Sequence, residues 1–230
     1  MREKIYEEEI LMLNLVLKDF KLGKRYNIFF LIYSLILSVA GLKMNRVPGM
    51  LYVLSIVIIS YVSTLYANSY DEKYKIDIAL NSMPVDKKDI VRAKYLALVL
   101  RLLVVSGGII IFTLILNILG IKAAIRTANL WDLILSFNLL GIFYSVYYPL
   151  YYKFEYSKFR IINMGLYILL LVIPGYITKF LKSSMGSRFY NWLMHFKNLN
   201  QFHLCISILV LMLLIISMTI SSKIYSKKEF

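Results

Sequence analysis

Residues 70–95 read YDEKYKIDIALNSMPVDKKDIVRAKY, with six Lys/Arg and five Asp/Glu in a chain that is otherwise 60% hydrophobic. The apolar runs on either side, 50–70 and 95–119, each supply the ~20 residues that a helix needs to cross a bilayer. The polar island is therefore a loop between two spans. Working outward, further apolar segments fall at 26–42, 130–150, 161–178 and 202–222, which brings the expected number of spans to six. With a mean hydropathy of +0.68 over 230 residues, the apolar surface exceeds what a soluble core of this size could bury, so lipid is the solvent for most of it. Backbone groups in hydrocarbon must be bonded within the chain, and apolar 20-mers without strand-like alternation satisfy this as helices. The expected class is an all-α polytopic membrane protein, a single domain over residues 1–230.

Orientation follows from the Lys/Arg bias of the loops. If the N-terminus is inside, the segments 1–25, 71–94, 151–160 and 223–230 carry 18 basic residues and the opposite face carries eight, so both termini are expected in the cytoplasm. The net charge of +14 then has a plain explanation. Lysines and arginines flank spans, set topology and meet anionic headgroups, and no nucleic-acid partner is expected. Glu3, Glu7, Glu8 and Glu9 stand where a cleavable signal would carry basic residues, so the first span is expected to direct its own insertion. Cys205 cannot form an internal disulfide, being the single cysteine, and is expected as a small packing residue in the last span.

Residues 10–25, ILMLNLVLKDFKLGKR, are too short and too charged to span. Asn14, Lys18, Lys21 and Arg25 form one narrow polar stripe on a helical wheel, which suits a helix over about 5–25 lying in the headgroup layer. Asp19 falls off that stripe, and Gly23 offers a turn into the first span. In the polar island, Asp71–Ser82 reads as a short amphipathic helix with Tyr74, Ile76, Ile78 and Leu80 available for burial. Pro84 disfavours helix at Met83, so the chain breaks there. Asp86 then caps a second helix that has no stop signal before the third span. Lys179–His203, rich in aromatic, basic and amide side chains, has the composition of a headgroup-level element or an ordered outer loop.

The chain has no phosphate-binding GxxxxGK[ST] loop, no HExxH or GxSxG, and no histidine pair at metal spacing, so neither catalysis nor a cofactor of its own is expected. Arg101, inside the third span, is expected to snorkel to the headgroups, and Asp132 marks the outer end of the fourth. Ser60, Thr64 and Asn68 fall at i, i+4 and i+8 on one face of the second span, with Ser63 beside them. Such a stripe either packs helices together or lines a cavity. Asn117 and Asn138 are further polar residues within spans. Pro174-Gly175 could interrupt the fifth span, and Pro149 is expected to end the fourth.

The order of an amphipathic N-terminal helix, six spans and a polar loop after the second span resembles the ABC-2 type permeases, the membrane halves of ABC exporters. The resemblance is nearest to the compact bacterial peptide exporters such as those of phenol-soluble modulins, where an LPxxKxxIVxxKY-like stretch follows the second span. Here Asp71, Glu72, Met83, Pro84, Lys87, Lys88, Ile90, Val91, Lys94 and Tyr95 fill that pattern, with Met83 where Leu is usual. The resemblance implies a coupling helix that docks on an ATPase subunit through Asp71, Glu72, Tyr74, Ile78, Met83, Pro84, Asp86, Lys87 and Lys88. It also implies that two ATPase copies bind ATP and Mg and that a second copy of this chain or a related permease completes the pair. The cargo implied is an amphipathic or hydrophobic peptide, exported across a bacterial plasma membrane. Lys18, Lys21 and Arg25 of the interfacial helix are expected to add a second contact, and Ser60, Thr64 and Asn68 are the candidates for a cavity wall. The rival readings are a six-span substrate-binding subunit of a vitamin importer and a membrane immunity protein that works without an ATPase.

Overall fold

The computed structural model describes residues 13–21, 24–45, 48–82, 85–154, 159, 161–166, 168, 172, 176, 183 and 199–228, with backbone only for 24–27 and 199–202. Seven helices account for most of it: α1 (13–21), α2 (Lys24–Leu42), α3 (Pro48–Lys73), α4 (Ile76–Asn81), α5 (Lys87–Ile118), α6 (Leu130–Lys153) and α7 (Leu199–Ser226). No strand occurs among the described residues. Four stretches, Pro48–Lys73, Lys87–Ile118, Leu130–Lys153 and His203–Ser226, are long and apolar enough to cross a membrane. The first expected span appears as α2, whose apolar part, Ile28–Leu42, is shorter than the other four. Half of the fifth, 161–178, lies outside the described residues, as do Pro174-Gly175, Gly23 and most of Lys179–His203.

The chain forms two compact units, Met1–Leu140 with Tyr225–Phe230, and Gly141–Ile224. In the first unit α2 packs on α3 and α5, and α3 packs on α5 and α4. Tyr52, Ile56, Ile59, Val91, Leu98 and Ile109 are almost fully enclosed there. In contrast, Ile28, Phe29, Ile32, Leu103, Val104 and Ile111 are exposed, the distribution expected when lipid covers the outside. One end of this unit is closed by Arg126. Its guanidinium forks onto Asp132, with Nη1–Oδ2 2.8 Å and Nη2–Oδ1 2.7 Å, and the Asn129 amide donates to the same carboxylate at 2.9 Å. Tyr52 Oη donates to the Arg126 carbonyl at 3.2 Å and the Ala124 amide to the Leu42 carbonyl at 2.8 Å, so this loop ties the ends of α2 and α3 to the start of α6. Asn117 takes part too, accepting from the Ala123 amide at 2.9 Å.

In the second unit, Tyr144, Tyr147, Tyr148, Tyr151, Tyr152 and Phe159 form a buried aromatic cluster with ring centroids 5.1–6.5 Å apart. Pro149 does not end α6, which continues to Lys153. A proline lacks the N–H that would bond the carbonyl four residues back. That carbonyl belongs to Ser145, and Ser217 Oγ donates to it at 2.8 Å, so α7 repairs the gap that proline opens. Cys205 is exposed on α7 rather than packed inside.

Candidate functional site: a buried ionic anchor beneath an exposed elbow

The site is built on three helices that share polar stripes. On α3, the stripe of Ser60, Thr64 and Asn68 continues three residues on into Asp71, on the same face, because α3 runs on to Lys73 instead of stopping before the charges. On α5, Lys94 and Arg101 are seven residues apart and so lie on one face. On α1, Leu15, Val16 and Asp19 are the buried positions and Leu13 and Leu17 are exposed.

These stripes meet in one network. Lys94, 7% exposed, forms ion pairs with Asp71 and with Asp19 (3.3 Å) and donates to Asn68 Oδ1 at 3.2 Å. Lys18 reaches Asp71 Oδ1 at 3.1 Å and Asp19 Oδ1 at 3.5 Å. Arg101, 5% exposed, donates to Thr64 Oγ1 at 3.0 Å and to the Asp19 carbonyl at 3.3 Å, and its guanidinium lies 5.4 Å from the Phe20 ring centroid. Thr64 Oγ1 in turn donates a hydrogen bond to the Ser60 carbonyl at 2.8 Å. Charges this deep are stable only when paired and hydrogen-bonded, and the network satisfies that condition for Lys94 and Asp71, whereas Asp19 is ion-paired to Lys94 and Lys18 with its Oδ1 left without a hydrogen bond. Two expectations are corrected here. Arg101 does not snorkel outward, because Thr64 and the α1 backbone offer it acceptors inside the bundle. Asp19, which sat off the polar stripe, is the residue that fastens α1 to α5.

Beneath this anchor the chain bends. The expected helix over Asp71–Ser82 is divided: Asp71 and Glu72 belong to the end of α3, and α4 begins only at Ile76. Between them Lys75 adopts a left-handed conformation (φ 49°), unusual for a residue with a Cβ. Asn81 Nδ2 donates to the Asp77 carbonyl at 2.7 Å and to Tyr225 Oη at 3.0 Å, and Tyr225 Oη donates to Asp77 Oδ1 at 3.3 Å. Lys87 Nζ donates to the Lys228 carbonyl at 3.0 Å. The chain's last described turn thus clamps the elbow from 141 to 148 residues away. Burial raises the Asp77 carboxyl above the ordinary range, opposed by Lys94 and Lys228 and reinforced by Asp71. Asp86 caps α5 as expected, accepting from the Lys88 amide at 2.9 Å.

The elbow's outer surface is open. Leu80 is buried, but Tyr74 (59%) and Ile78 (53%) are exposed, with Lys73 and Lys75 beside them. Tyr74 stacks on Tyr70 with centroids 5.6 Å apart, which holds one of the two exposed apolar groups in place. Glu72 is half-buried, Lys87 likewise, and Asp86 and Lys88 are exposed. Met83 and Pro84 lie outside the described residues, as does the Arg25 side chain, and Lys21 is exposed on α1. A cavity of about 170 Å³ does lie among α1, α2, α3 and α5, but α3 lines it with Ile59, Ser63 and Tyr66, not with Ser60, Thr64 and Asn68.

A family model described as ABC-2 family transporter protein matches residues 14–226, nearly the whole chain and all three elements of this site. The chain belongs to the ABC-2 transporter family. No curated protein and no solved structure matches it. As an ABC-2 protein it is a multi-pass membrane permease component, and the family implies an ABC ATPase as partner. Sequence reasoning passed over Asp19, Lys94 and Arg101 as site residues and did not reach Asp77, Asn81 and Tyr225. The first three carried a usable signal, since ionisable residues inside apolar helices are expensive and are kept in partnered positions.

Proposed function

We propose that this ABC-2 permease is the transmembrane subunit of an exporter of amphipathic or hydrophobic peptides, with residues 72–88 docking on a separate ATPase. The observation that carries the docking assignment is the pair of exposed apolar side chains, Tyr74 and Ile78, on an elbow whose base is held by buried ion pairs. A stroke delivered to that surface has a rigid path inward. Asp71 is bonded to Lys94, and α5 extends 32 residues, roughly 48 Å at 1.5 Å per residue. The Lys/Arg bias supports placing the elbow and both termini in the cytoplasm, where ATP and Mg are bound by two copies of the ATPase. The pair is completed by a second copy of this chain or a related permease. The peptide cargo rests on the resemblance of Asp71–Tyr95 to peptide exporters. Export of such peptides also protects the producing cell from them. The exposed apolar flanks of α2 and α5 favour uptake of cargo from the bilayer.

Co-purification tests the docking. The tagged chain is expected to bring down a nucleotide-hydrolysing subunit. Tyr74→Asp with Ile78→Asp should release that subunit while leaving the melting temperature unchanged, because both side chains are exposed. An intact complex with both substitutions in place would remove the elbow from the coupling path. For the cargo, vesicles carrying the purified complex should accumulate bilayer-partitioning peptides in the presence of ATP. Transport restricted to peptides that do not partition would overturn the membrane route.

A further inference from the structure

The cavity among α1, α2, α3 and α5 has a charged floor and an apolar mouth. Its lining includes Asp19 and Phe20 of α1, Phe30 and Leu31 of α2, Tyr66 of α3 and Arg101 of α5. At about 170 Å³ it is on the order of ten times what a single water requires. Arg101 is 5% exposed, yet among the described residues no carboxylate lies within ion-pair distance of it. Its acceptors are a hydroxyl and a backbone carbonyl, both neutral, and they leave part of the guanidinium fork unused. The Asp19 carboxylate beside it is turned to Lys18 and Lys94. A buried guanidinium without a counter-charge is costly, and the cost falls sharply when an anion is delivered from outside.

The mouth indicates where that anion comes from. Leu31 and Val104, on the rim, are 53% and 62% exposed and point to the side of the bundle that lipid covers. Gly108 lines the cavity next to Gly107, and a Cβ added at either would meet nothing within 4 Å. The backbone of α5 therefore leaves open space beside the apolar lining at Gly108, about two helical turns from Arg101 on the same face. An anionic head on an alkyl tail fits this shape: phosphate oxygens on the Arg101 fork, chain along Val104, Gly108 and Leu31.

We infer that the α1–α2–α3–α5 cavity is a binding site for an anionic phospholipid of the bilayer, with Arg101 holding the headgroup phosphate. The site fastens α1 to the bundle through the same arginine that bonds the Asp19 carbonyl. It stands whether or not the elbow docks on an ATPase.

The test is native mass spectrometry of the purified full chain in mild detergent, doped with equal amounts of phosphatidylglycerol and phosphatidylcholine. A charge-assisted contact predicts retention of phosphatidylglycerol by about tenfold over phosphatidylcholine. Arg101→Gln should bring that ratio close to one, and Arg101→Lys should hold it between the two. Gly108→Leu fills the open space, keeps the arginine, and should reduce bound phosphatidylglycerol with no change in melting temperature, so it carries the test if Arg101→Gln does not fold. Equal retention of both lipids by the native chain would overturn the assignment. So would a preference that survives Arg101→Gln or Gly108→Leu. Displacement of phosphatidylglycerol by inorganic phosphate, or by an amphipathic peptide with a free carboxylate, at lower concentration than by added lipid would assign the cavity to that ligand instead.

Discussion

Replacing Lys94 by methionine removes one ammonium that serves Asp19, Asp71 and Asn68 together. Both carboxylates are buried, at 5% and 3% exposure, so neither can turn to water. What remains for them is Lys18, 3.1 Å from Asp71 but 3.5 Å from Asp19. Taking one partner from a buried pair costs about 3–5 kcal/mol, because the surviving charge stays in a poor dielectric. Lys18→Met is the contrasting case. It leaves Lys94 between the two carboxylates, and the Lys18 side chain is itself partly exposed, so the expected loss is about 1 kcal/mol. In a chain of this size each kcal/mol moves the melting temperature by roughly 2–4 °C. Thermal unfolding in detergent, followed by intrinsic fluorescence, should therefore fall by roughly 6–20 °C for Lys94→Met and by roughly 2–4 °C for Lys18→Met. Adding Asp71→Asn to Lys94→Met removes one orphaned charge and should restore part of the loss, a non-additivity expected of groups in contact. Equal small losses for the two lysine variants, or strict additivity in the double variant, would refute the buried network as the anchor of the elbow.

At the opposite end of the first unit, Arg126→Gln leaves Asp132, 1% exposed, with the Asn129 amide in place of the fork. The expected cost is about 3 kcal/mol, read as a lower melting temperature and as faster proteolysis within 119–129. Tyr225→Phe removes the hydroxyl shared by Asn81 and Asp77, should cost about 1 kcal/mol, and should speed amide hydrogen exchange in 76–82 more than elsewhere. Asp77 faces Asp71, Lys94, Lys228 and Tyr225, and burial raises its carboxyl above the unfolded value of about 3.9. The folded chain then keeps that proton to higher pH than the unfolded chain. Its contribution to stability is complete below the ordinary aspartate range and is lost as pH rises through the raised value. Asp77→Asn should flatten that part of the profile of melting temperature against pH, and an unchanged slope would exclude Asp77 as its source.

The helical class and the positions of the long spans are readable because lipid exposure demands uninterrupted apolar runs: α3, α6 and α7 each contain an expected segment, and α5 covers all but the last residue of one. The cap at Asp86 was readable for a local reason, an acceptor side chain just ahead of the helix it serves. The boundary at Asp71 was not. Charge in a sequence marks water, whereas Asp71 is 3% exposed and pairs inside the bundle, so α3 runs past it. No glycine announced the left-handed turn at Lys75, and nothing local connects Asp77 to Tyr225 across 148 residues. Ser60, Thr64 and Asn68 were visible as a stripe. Which of the two uses of such a stripe applied depended on Lys94 and Arg101 of another helix.

That dependence has a physical basis in the solvent. Between helices in lipid there is little hydrophobic drive to choose one register over another, since the tails are as apolar as leucine. Leucine, isoleucine and valine on α3 and α5 therefore permit many alignments, and the polar groups select among them. Thr64 on Arg101 and Asn68 with Asp71 on Lys94 are two contacts seven residues apart on α5, close to two helical turns. Sliding α5 by a single turn against α3 would break both at once and leave Lys94 and Arg101 with only their Asp19 contacts on α1. The same residues that look costly one at a time thus fix α5 against α3 at the point where the elbow begins.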